Sequence, residues 1–378
     1  MEPMKHSQQD IKETHLKLML SLIHQVDGIS RADIKKLTNL SATTVSALVE
    51  ELMDEGLVVE TGMKTSTTSG RKAISLSINK NGGHLGAVGI SGHHFCLRIF
   101  DLHLEEIYSV KVRYDTTLPL SYTLCAFLKE HLCVQDYGRL LGLAVGIPAI
   151  VNRDNQIVSS TIVNVTADDD VYGSLCTAFP NAKVLLCNNS WLMAYAEKEF
   201  GELECKSLIS IDISDGVGAA AIVDGVPFNG SAGMACEFGH ISVDMNGKPC
   251  RCGSRGCLET MISVPAILEG AGSIAQKEIT LEMLSPCAVQ TPELEQYMDD
   301  ICTALAFGIN NLLNIFDPDA VVLCGDILAL GEDFIRLVRK KLSDISLAGR
   351  TVSLTASTLG SNAEFKGGAK FVFDSLLR

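Results

Sequence analysis

Nothing in this sequence is apolar for long enough to cross a bilayer. The longest strongly apolar run, Leu140 to Val151, is twelve residues, where a spanning helix needs ~18–20. The N-terminal stretch, MEPMKHSQQDIKE, carries charges where a secretory signal would need an apolar segment. A cytoplasmic, soluble protein is expected. Excess positive charge is missing too: the net charge is −14, from 31 Lys/Arg and 45 Asp/Glu. Residues 1–80 hold ten of each sign, so the whole imbalance (21 against 35) lies in residues 81–378. That larger part is expected to repel nucleic acid, and only the N-terminal part can approach DNA closely. A regular disulfide framework is the third absence. Thirteen cysteines are an odd number at irregular spacing, which in a reducing compartment reads as free thiols. Ten of them lie in apolar contexts such as AVVLCG and VLLCNN, where Cys behaves as a small core hydrophobe.

What is present is a long, apolar-rich chain. At 378 residues it suits two or three domains, and 47% apolar residues exclude wholesale disorder. The other three cysteines stand in EFGHISVDMNGKPCRCGSRGCLE, from Glu237 to Glu259. His240 is followed after nine residues by Cys250, then Cys252, then Cys257. Three thiolates and an imidazole are the ligand set of a structural, tetrahedral zinc with no open position for water. Gly247, Gly253 and Gly256 allow the tight turns that bring such ligands together. A disulfide with one leftover thiol is the alternative, and a reducing compartment disfavours it.

The first 80 residues read as a DNA reader. Ile11, His15, Leu18, Leu22 and Val26 fall on one helical stripe between about Gln8 and Val26. Ser30 is an expected N-cap with Asp33 at the third helical position, a variant of the capping box; Ile34 and Leu37 are expected to point inward. Ser41 caps a third helix whose apolar face is Val45, Leu48, Val49 and Leu52, and Gly56 closes it. Helix order and the short turn between the second and third make a helix-turn-helix. The first turn of the third helix, with Ser41, Thr43, Thr44 and Ser46, is small and hydroxylic, so backbone and side chains can meet bases or phosphates. A β-hairpin follows whose loop carries Lys64, Arg71 and Lys72: a wing suited to phosphates or a minor groove. The expected DNA contacts are Ser41, Thr43, Thr44, Ser46, Arg71 and Lys72.

From Gly83 the pattern turns to strands, in GHLGAVGISG, HFCLRIFDL and EEIYSVKVRY, then a helix over about Leu120 to Leu132 and a buried strand LLGLAVGIP. SLISIDIS, GVGAAAIVDG, further helices and DPDAVVLCGDI repeat the theme. Two such units fit an α/β protein with two lobes and a cleft between them.

The residues from Glu237 to Glu259 carry a resemblance. EFGH followed by CRCGSRGCLE is similar to the E-x-G-H and C-x-C-G-x-x-G-C-x-E signature of the ROK family (repressors, open reading frames and sugar kinases), with every named position present. The similarity runs from about Leu16 to Leu377. It implies a winged helix-turn-helix followed by a two-lobed, actin-like (ribonuclease-H-like) ATPase fold. The expected division is 1–80 for the reader, 81–200 for the first lobe, completed by a helix at 361–378, and 201–360 for the second lobe with the metal. The resemblance also implies structural zinc on His240, Cys250, Cys252 and Cys257, and sugar hydroxyls held by Glu237, His240 and Glu259, with Asn188 and Asn189 lining the same cleft. Carboxylates accept sugar hydroxyls in pairs, and a His that gives one nitrogen to zinc keeps the other N–H as a fixed donor.

Kinase and repressor branches of such a family separate at specific positions. A sugar kinase needs a carboxylate base; the family places it as the Asp of an N-D pair, and here Asn189 stands there. The family's D-x-G-G-T loop reads GISGH, with Gly89, Ser91 and His93 at the Asp, Gly and Thr positions. The second phosphate loop reads SDGVGAA, and Asp215 faces any triphosphate with negative charge. A non-enzymatic, sugar-responsive repressor of carbohydrate genes is therefore expected. Its partners would be operator DNA, a sugar or sugar-phosphate inducer, a second copy in a homodimer or dimer of dimers, and, as in some relatives, a sugar-transporter subunit. The alternative is a kinase that phosphorylates a hexose or N-acetylhexosamine with ATP.

Overall fold

The computed structural model of the protein describes residues 8–63, 73–133, 139–166, 168–285 and 291–376. The reader comes first in the chain and is built from local signals. Helix α1 (Gln8–Gln25) and the two-residue strand β1 (Ile29–Ser30) precede α2 (Arg31–Thr38) and α3 (Ala42–Asp54). Ser30 closes a complete capping box: Asp33 N–H donates to its hydroxyl and its own N–H donates to Asp33 Oδ2, each at 3.2 Å. Ser41 caps α3 by accepting from Thr44 N–H at 3.1 Å. Each cap contributes about 0.5–2 kcal/mol. Val45, Leu48, Val49 and Leu52 are all buried. Strands β2 (Val58–Met63) and β3 (Ile74–Ile78) pair antiparallel, and β1 joins them in the order β1-β3-β2. The tip of this hairpin, with Lys64, Arg71 and Lys72, lies outside the described residues.

Two expectations for the reader fail. The buried face of α1 is Leu16, Met19, Leu20 and Ile23, whereas Ile11, Leu18 and Val26 are exposed. Both stripes satisfy a 3.6-residue period, and the neighbours of α1 select between them. Leu37 is 62% exposed while Ile34 is fully buried. Leu37 sits in the last turn of α2, just before Asn39 takes a left-handed C-cap and turns the chain away.

Two sheets of identical topology follow. The first is built from β4 (His84–Ile90), β5 (His94–Phe100) and β6 (Glu106–Arg113), then α4 (Leu120–Cys133) and β7 (Leu140–Ile147). A ribbon of β8 (Ile150–Val151) and β9 (Ile157–Ser159), α5 (Val171–Ala178), β10 (Lys183–Asn188) and α6 (Asn189–Phe200) complete it. Its strand order is β10-β7-β4-β5-β6, with β5 antiparallel to its neighbours. The second contains β11 (Leu208–Ile213), β12 (Val217–Val223) and β13 (Val226–Pro227). After these come α7 (Glu259–Ile262), α8 (Val264–Ala275), α9 (Pro292–Phe316), β14 (Ala320–Cys324), α10 (Glu332–Ile345) and β15 (Ser353–Ala356). Its order, β13-β12-β11-β14-β15, again has the first strand central, two antiparallel strands on one side and two parallel on the other. A repeated α/β unit with parallel strands buried on both faces is the two-lobed fold that the strand pattern anticipates.

The last helix, α11 (Ala363–Ser375), returns to the first sheet. Alternation along β4 turns Leu85 and Ala87 toward it, and Phe365, Ala369, Val372 and Phe373 complete one buried cluster with them. Glycines set the contact distance. A Cβ at Gly367 would overlap the backbone of Leu192 in α6, and one at Gly368 would lie 3.1 Å from Ala144 Cβ. The same cluster runs without a break into the reader, through Leu16, Met19, Ile23, Ile29 and Leu76. The His24 ring of α1 lies 4.9 Å from the Phe373 ring of α11. The Asn79 amide donates to Gly56 O at 2.8 Å, and Lys80 pairs with Asp101 at 3.2 Å. The reader is thus packed on the first sheet by a shared core as well as tethered to it.

Candidate metal centre and interlobe site

The polypeptide between β13 and α8 is short of regular structure and rich in tight bonds. A single 3-10 turn, Phe238–His240, presents His240. Leu258 N–H donates to Ile241 O at 2.9 Å and Val243 N–H to Gly256 O at 2.8 Å, which closes the loop into a clip. Gly256 has φ +64, and a Cβ there would overlap Asp244 O, so only Gly suits the turn. Cys250 N–H donates to Ser254 O at 2.8 Å and folds the CRCGS segment back on itself.

These turns bring His240, Cys250, Cys252 and Cys257 together, with one ligand atom from each within 4.8 Å of all the others. His240 Nδ1 lies 3.7 Å from Cys250 Sγ, and Cys252 Sγ lies 3.6 Å from Cys257 Sγ. A tetrahedron with bonds of ~2.3 Å has edges of about 3.8 Å, so the four donors already have the spacing of a coordination shell. Cys250, Cys252 and Cys257 are all free thiols, so no disulfide competes at the cluster. The cluster can hold a metal ion, and His240 Nδ1 faces it, which leaves Nε2 as the ring's second polar atom.

The two glutamates at the ends of the motif take different places. Glu237 is exposed, immediately before the turn. Although the residue as a whole is exposed, its carboxyl group is partly desolvated where it meets the turn, which raises it first, with His240 opposing and Glu259 adding to the shift. Glu259 opens α7 and is buried. Its Oε2 accepts from Val217 N–H at 3.4 Å, and Arg251 Nη2 lies 3.9 Å from its Oε1.

Strand β12 is where the candidates meet. Its Val217 touches Glu259 and Gly239, and a Cβ at its Gly218 would overlap the hydroxyl of Ser190 at the start of α6. Ser190 follows Asn188 and Asn189, so this end of α6 faces the second lobe. The structure engages Asn188 locally. Its Nδ2 donates to Ala149 O at 3.0 Å and its Oδ1 caps α6 by accepting from Ser190 N–H at 2.8 Å. In the reader, the Ser41 hydroxyl lies 2.7 Å from Thr43 Oγ1 and 2.8 Å from Thr44 Oγ1. Ser41 and Thr43 are exposed, and Thr44 and Ser46 half-buried.

Three further residues near the junction of the lobes carry no assignment from the sequence. Arg251, between two of the cysteines, donates from Nη1 to Thr161 O at 3.0 Å and so ties the clip to the other lobe. Asp212, buried at the end of β11, accepts from the Ser214 hydroxyl at 2.9 Å. Burial first, then Asp326 and Asp215, push its carboxyl up to about 6, and the Ser214 bond holds it back. Glu364, at the start of α11, lies against Gly89 and Gly146. Arg251 had a signal in its place between two metal ligands; the other two are brought in by the tertiary fold alone.

Comparison with known proteins bears on the family and the fold. The chain is 28% identical over 375 residues to the xylose repressor of Bacillus subtilis (strain 168), with 97% of each chain covered. It is 25% identical over 387 residues to the DNA-binding transcriptional repressor Mlc of Escherichia coli (strain K12), covering 97% of this chain and 94% of Mlc. Among solved structures, a ROK family transcriptional regulator described as a homologue of E. coli Mlc superposes with a TM-score of 0.82 over 97% of this chain and 98% of its own, at 24% identity. A ROK family glucokinase from Streptomyces griseus, in complex with glucose and AMPPNP, superposes at 0.66 over 76% of this chain and 99% of its own, at 21% identity. The kinase covers the two lobes' worth of chain; the regulator covers the reader as well. The family model described as ROK family matches residues 85–374, well over half of the sequence, and the chain belongs to the ROK family.

Proposed function

We propose that the protein is a sugar-responsive transcriptional repressor that holds operator DNA with residues 1–80 and takes its inducer, a sugar or sugar phosphate, in the cleft between the lobes. The observation that carries this reading is the shared core. A winged helix-turn-helix is packed onto a two-lobed sugar-kinase fold, and the position of the kinase base holds Asn189. An amide can bond a sugar hydroxyl and cannot take its proton. Relatives along the full length are named repressors.

In this reading Glu237, His240 and Glu259 accept or donate to sugar hydroxyls, with Asn188 and Asn189 opposite. Zinc on His240, Cys250, Cys252 and Cys257 is structural and supplies no chemistry; it fixes the orientation of His240 and the ends of the clip. Arg251, bonded across the cleft to Thr161 O, couples the clip to the first lobe. Because the first lobe and the reader share one core, closure of the lobes alters how two readers in a homodimer, or in a dimer of dimers, face half-sites about 34 Å apart. The inducer acts through its different affinity for the two arrangements. A sugar-transporter subunit is a further partner in this reading.

Two tests follow from named positions. Sugar-dependent ATP turnover is expected to be absent, because Asn189 cannot act as base and Gly89 and Asp215 spoil both phosphate loops. A coupled assay that finds turnover near ~1–100 s⁻¹, typical of kinases, would restore the enzyme reading. Thr44→Ala is expected to change the preferred base at one operator position, with loss of about 1–3 kcal/mol of discrimination, and to leave the fold intact because Thr44 is only half-buried. Selection from a random-sequence DNA pool by wild type and variant measures this. Identical consensus sequences would remove Thr44 from the interface.

A further inference from the structure

Helix α11 runs from the cleft to the reader along the floor of the first sheet. At its start, Glu364 lies over the two glycines that end β4 and β7. A Cβ at Gly89 would be 2.7 Å from Glu364 Oε2, and one at Gly146 would overlap Oε1. Oε1 is buried without a hydrogen-bond partner. One turn on, Gly368 rests on Ala87 and Ala144; further along, Val372 fills the space over Gly142. At the far end Phe373 meets His24 of the reader. From 364 to 373 the helix rises about 13 Å, so a single rod links the cleft end to α1. Its glycines admit one close docking height, and packed elements of this kind move as units.

We infer that Glu364 is a positioning residue of the switch: its carboxyl group, wedged over Gly89 and Gly146, seats α11 and thereby sets the position of the DNA reader relative to the cleft. This rests on the proposed function only in what it assigns to the reader; the seating itself is a property of the fold. Charged groups around Glu364 are few. Asp212 of β11 faces it, and so do Arg98 and Cys96 of β5. Arg98 is already paired with Glu106 at 2.8 Å, bonded to Asn362 and stacked over Phe365 at 4.5 Å. The carboxyl is pushed up to about 8, by burial first and by Asp212 next, with Arg98 opposing. At neutral pH it therefore sits as the uncharged acid. The folded chain keeps a proton between about 4.5 and 8 that the unfolded chain has released. Stability from this group is full below that window, falls as pH rises through it and levels off above.

The experiment uses the full chain and three variants: Glu364→Gln, Glu364→Ala and Gly89→Ala, the last displacing the carboxyl without removing it. Hydrogen exchange of the α1 amides from Leu16 to Ile23 reads the far end of the rod, and β14 in the other lobe is the reference. Glu364→Ala and Gly89→Ala are expected to speed exchange in α1 and leave β14 unchanged. They are also expected to weaken sugar-free operator binding by about five- to a hundredfold, the usual span of coupling between sites. Glu364→Gln, which keeps shape and neutrality, is expected to match wild type at pH 7 in both readouts. It is also expected to lose part of the wild type's fall in melting temperature between pH 6 and 8.5. Unchanged α1 exchange in folded Glu364→Ala and Gly89→Ala would overturn the inference. So would a pH profile of Glu364→Gln that superposes on wild type. If wild type itself binds no operator, the proposed function falls, and the exchange data still decide the seating.

Discussion

Cys252→Ser is expected to release the metal and loosen the clip between Ile241 and Leu258. Freshly prepared, reduced wild type should carry about one zinc per chain, and the variant close to none. Structural zinc is worth ~10–16 kcal/mol to small metal-bound folds, and here the backbone bonds of the clip retain only part of its order without the ion. A loss of even ~3–5 kcal/mol would lower the melting temperature by about 10 °C in a lobe of this size. Cys252 is the exposed member of the four, so the substitution removes a ligand without opening a cavity in the core. Chelation of wild type should reproduce the variant. Elemental analysis together with calorimetry checks both. Metal-free wild type with an unchanged melting temperature would dismiss zinc and leave a clip held by hydrogen bonds.

Glu237→Gln is the complementary change, because it spares the metal. Glu237 lies outside the ligand set and far in sequence from the reader, so zinc content and operator affinity should stay at wild-type values. What it should lose is response to inducer. A hydrogen bond to a charged acceptor contributes roughly 1.5–3 kcal/mol, which is about ten- to a hundredfold in affinity. The variant would then stay on its operator at sugar concentrations that release wild type. Equal release curves would place the signal elsewhere, most directly on a protein partner.

Local signals were legible in the sequence, and they are the ones the structure repeats. Ser30 with Asp33, Ser41, and the Val45–Leu52 face need only their own helix to act. The central strands β4, β7, β11 and β14 announce themselves because doubly buried strands are continuous apolar runs. The four metal candidates are legible because they lie within 18 residues of one another and each residue type is a ligand. The reading broke where a neighbour decides. The stripe through Ile11, Leu18 and Val26 is as periodic as the one through Leu16, Met19 and Ile23, and the packing of α1 on α3, β3 and the core shared with α11 prefers the second. Period alone places Leu37 inward, but the helix ends one residue later and Asn39 caps it. Asp212 and Glu364 are more than 150 residues apart in sequence. Each looks like an ordinary acid until the fold buries one at the end of β11 and the other over two glycines.

The most direct test of the central claim is a sugar titration of the wild-type protein bound to labelled operator DNA, selected by the full chain from a random pool. Neutral aldoses such as D-xylose, D-glucose and N-acetyl-D-glucosamine, and their phosphates, would be added in turn while fluorescence anisotropy reports the bound fraction. A sugar-binding repressor predicts saturable release by at least one of them, shifted to about ten- to a hundredfold higher concentration in Glu237→Gln. Operator that stays bound at every sugar concentration, or no sequence-specific binding at all, would contradict it.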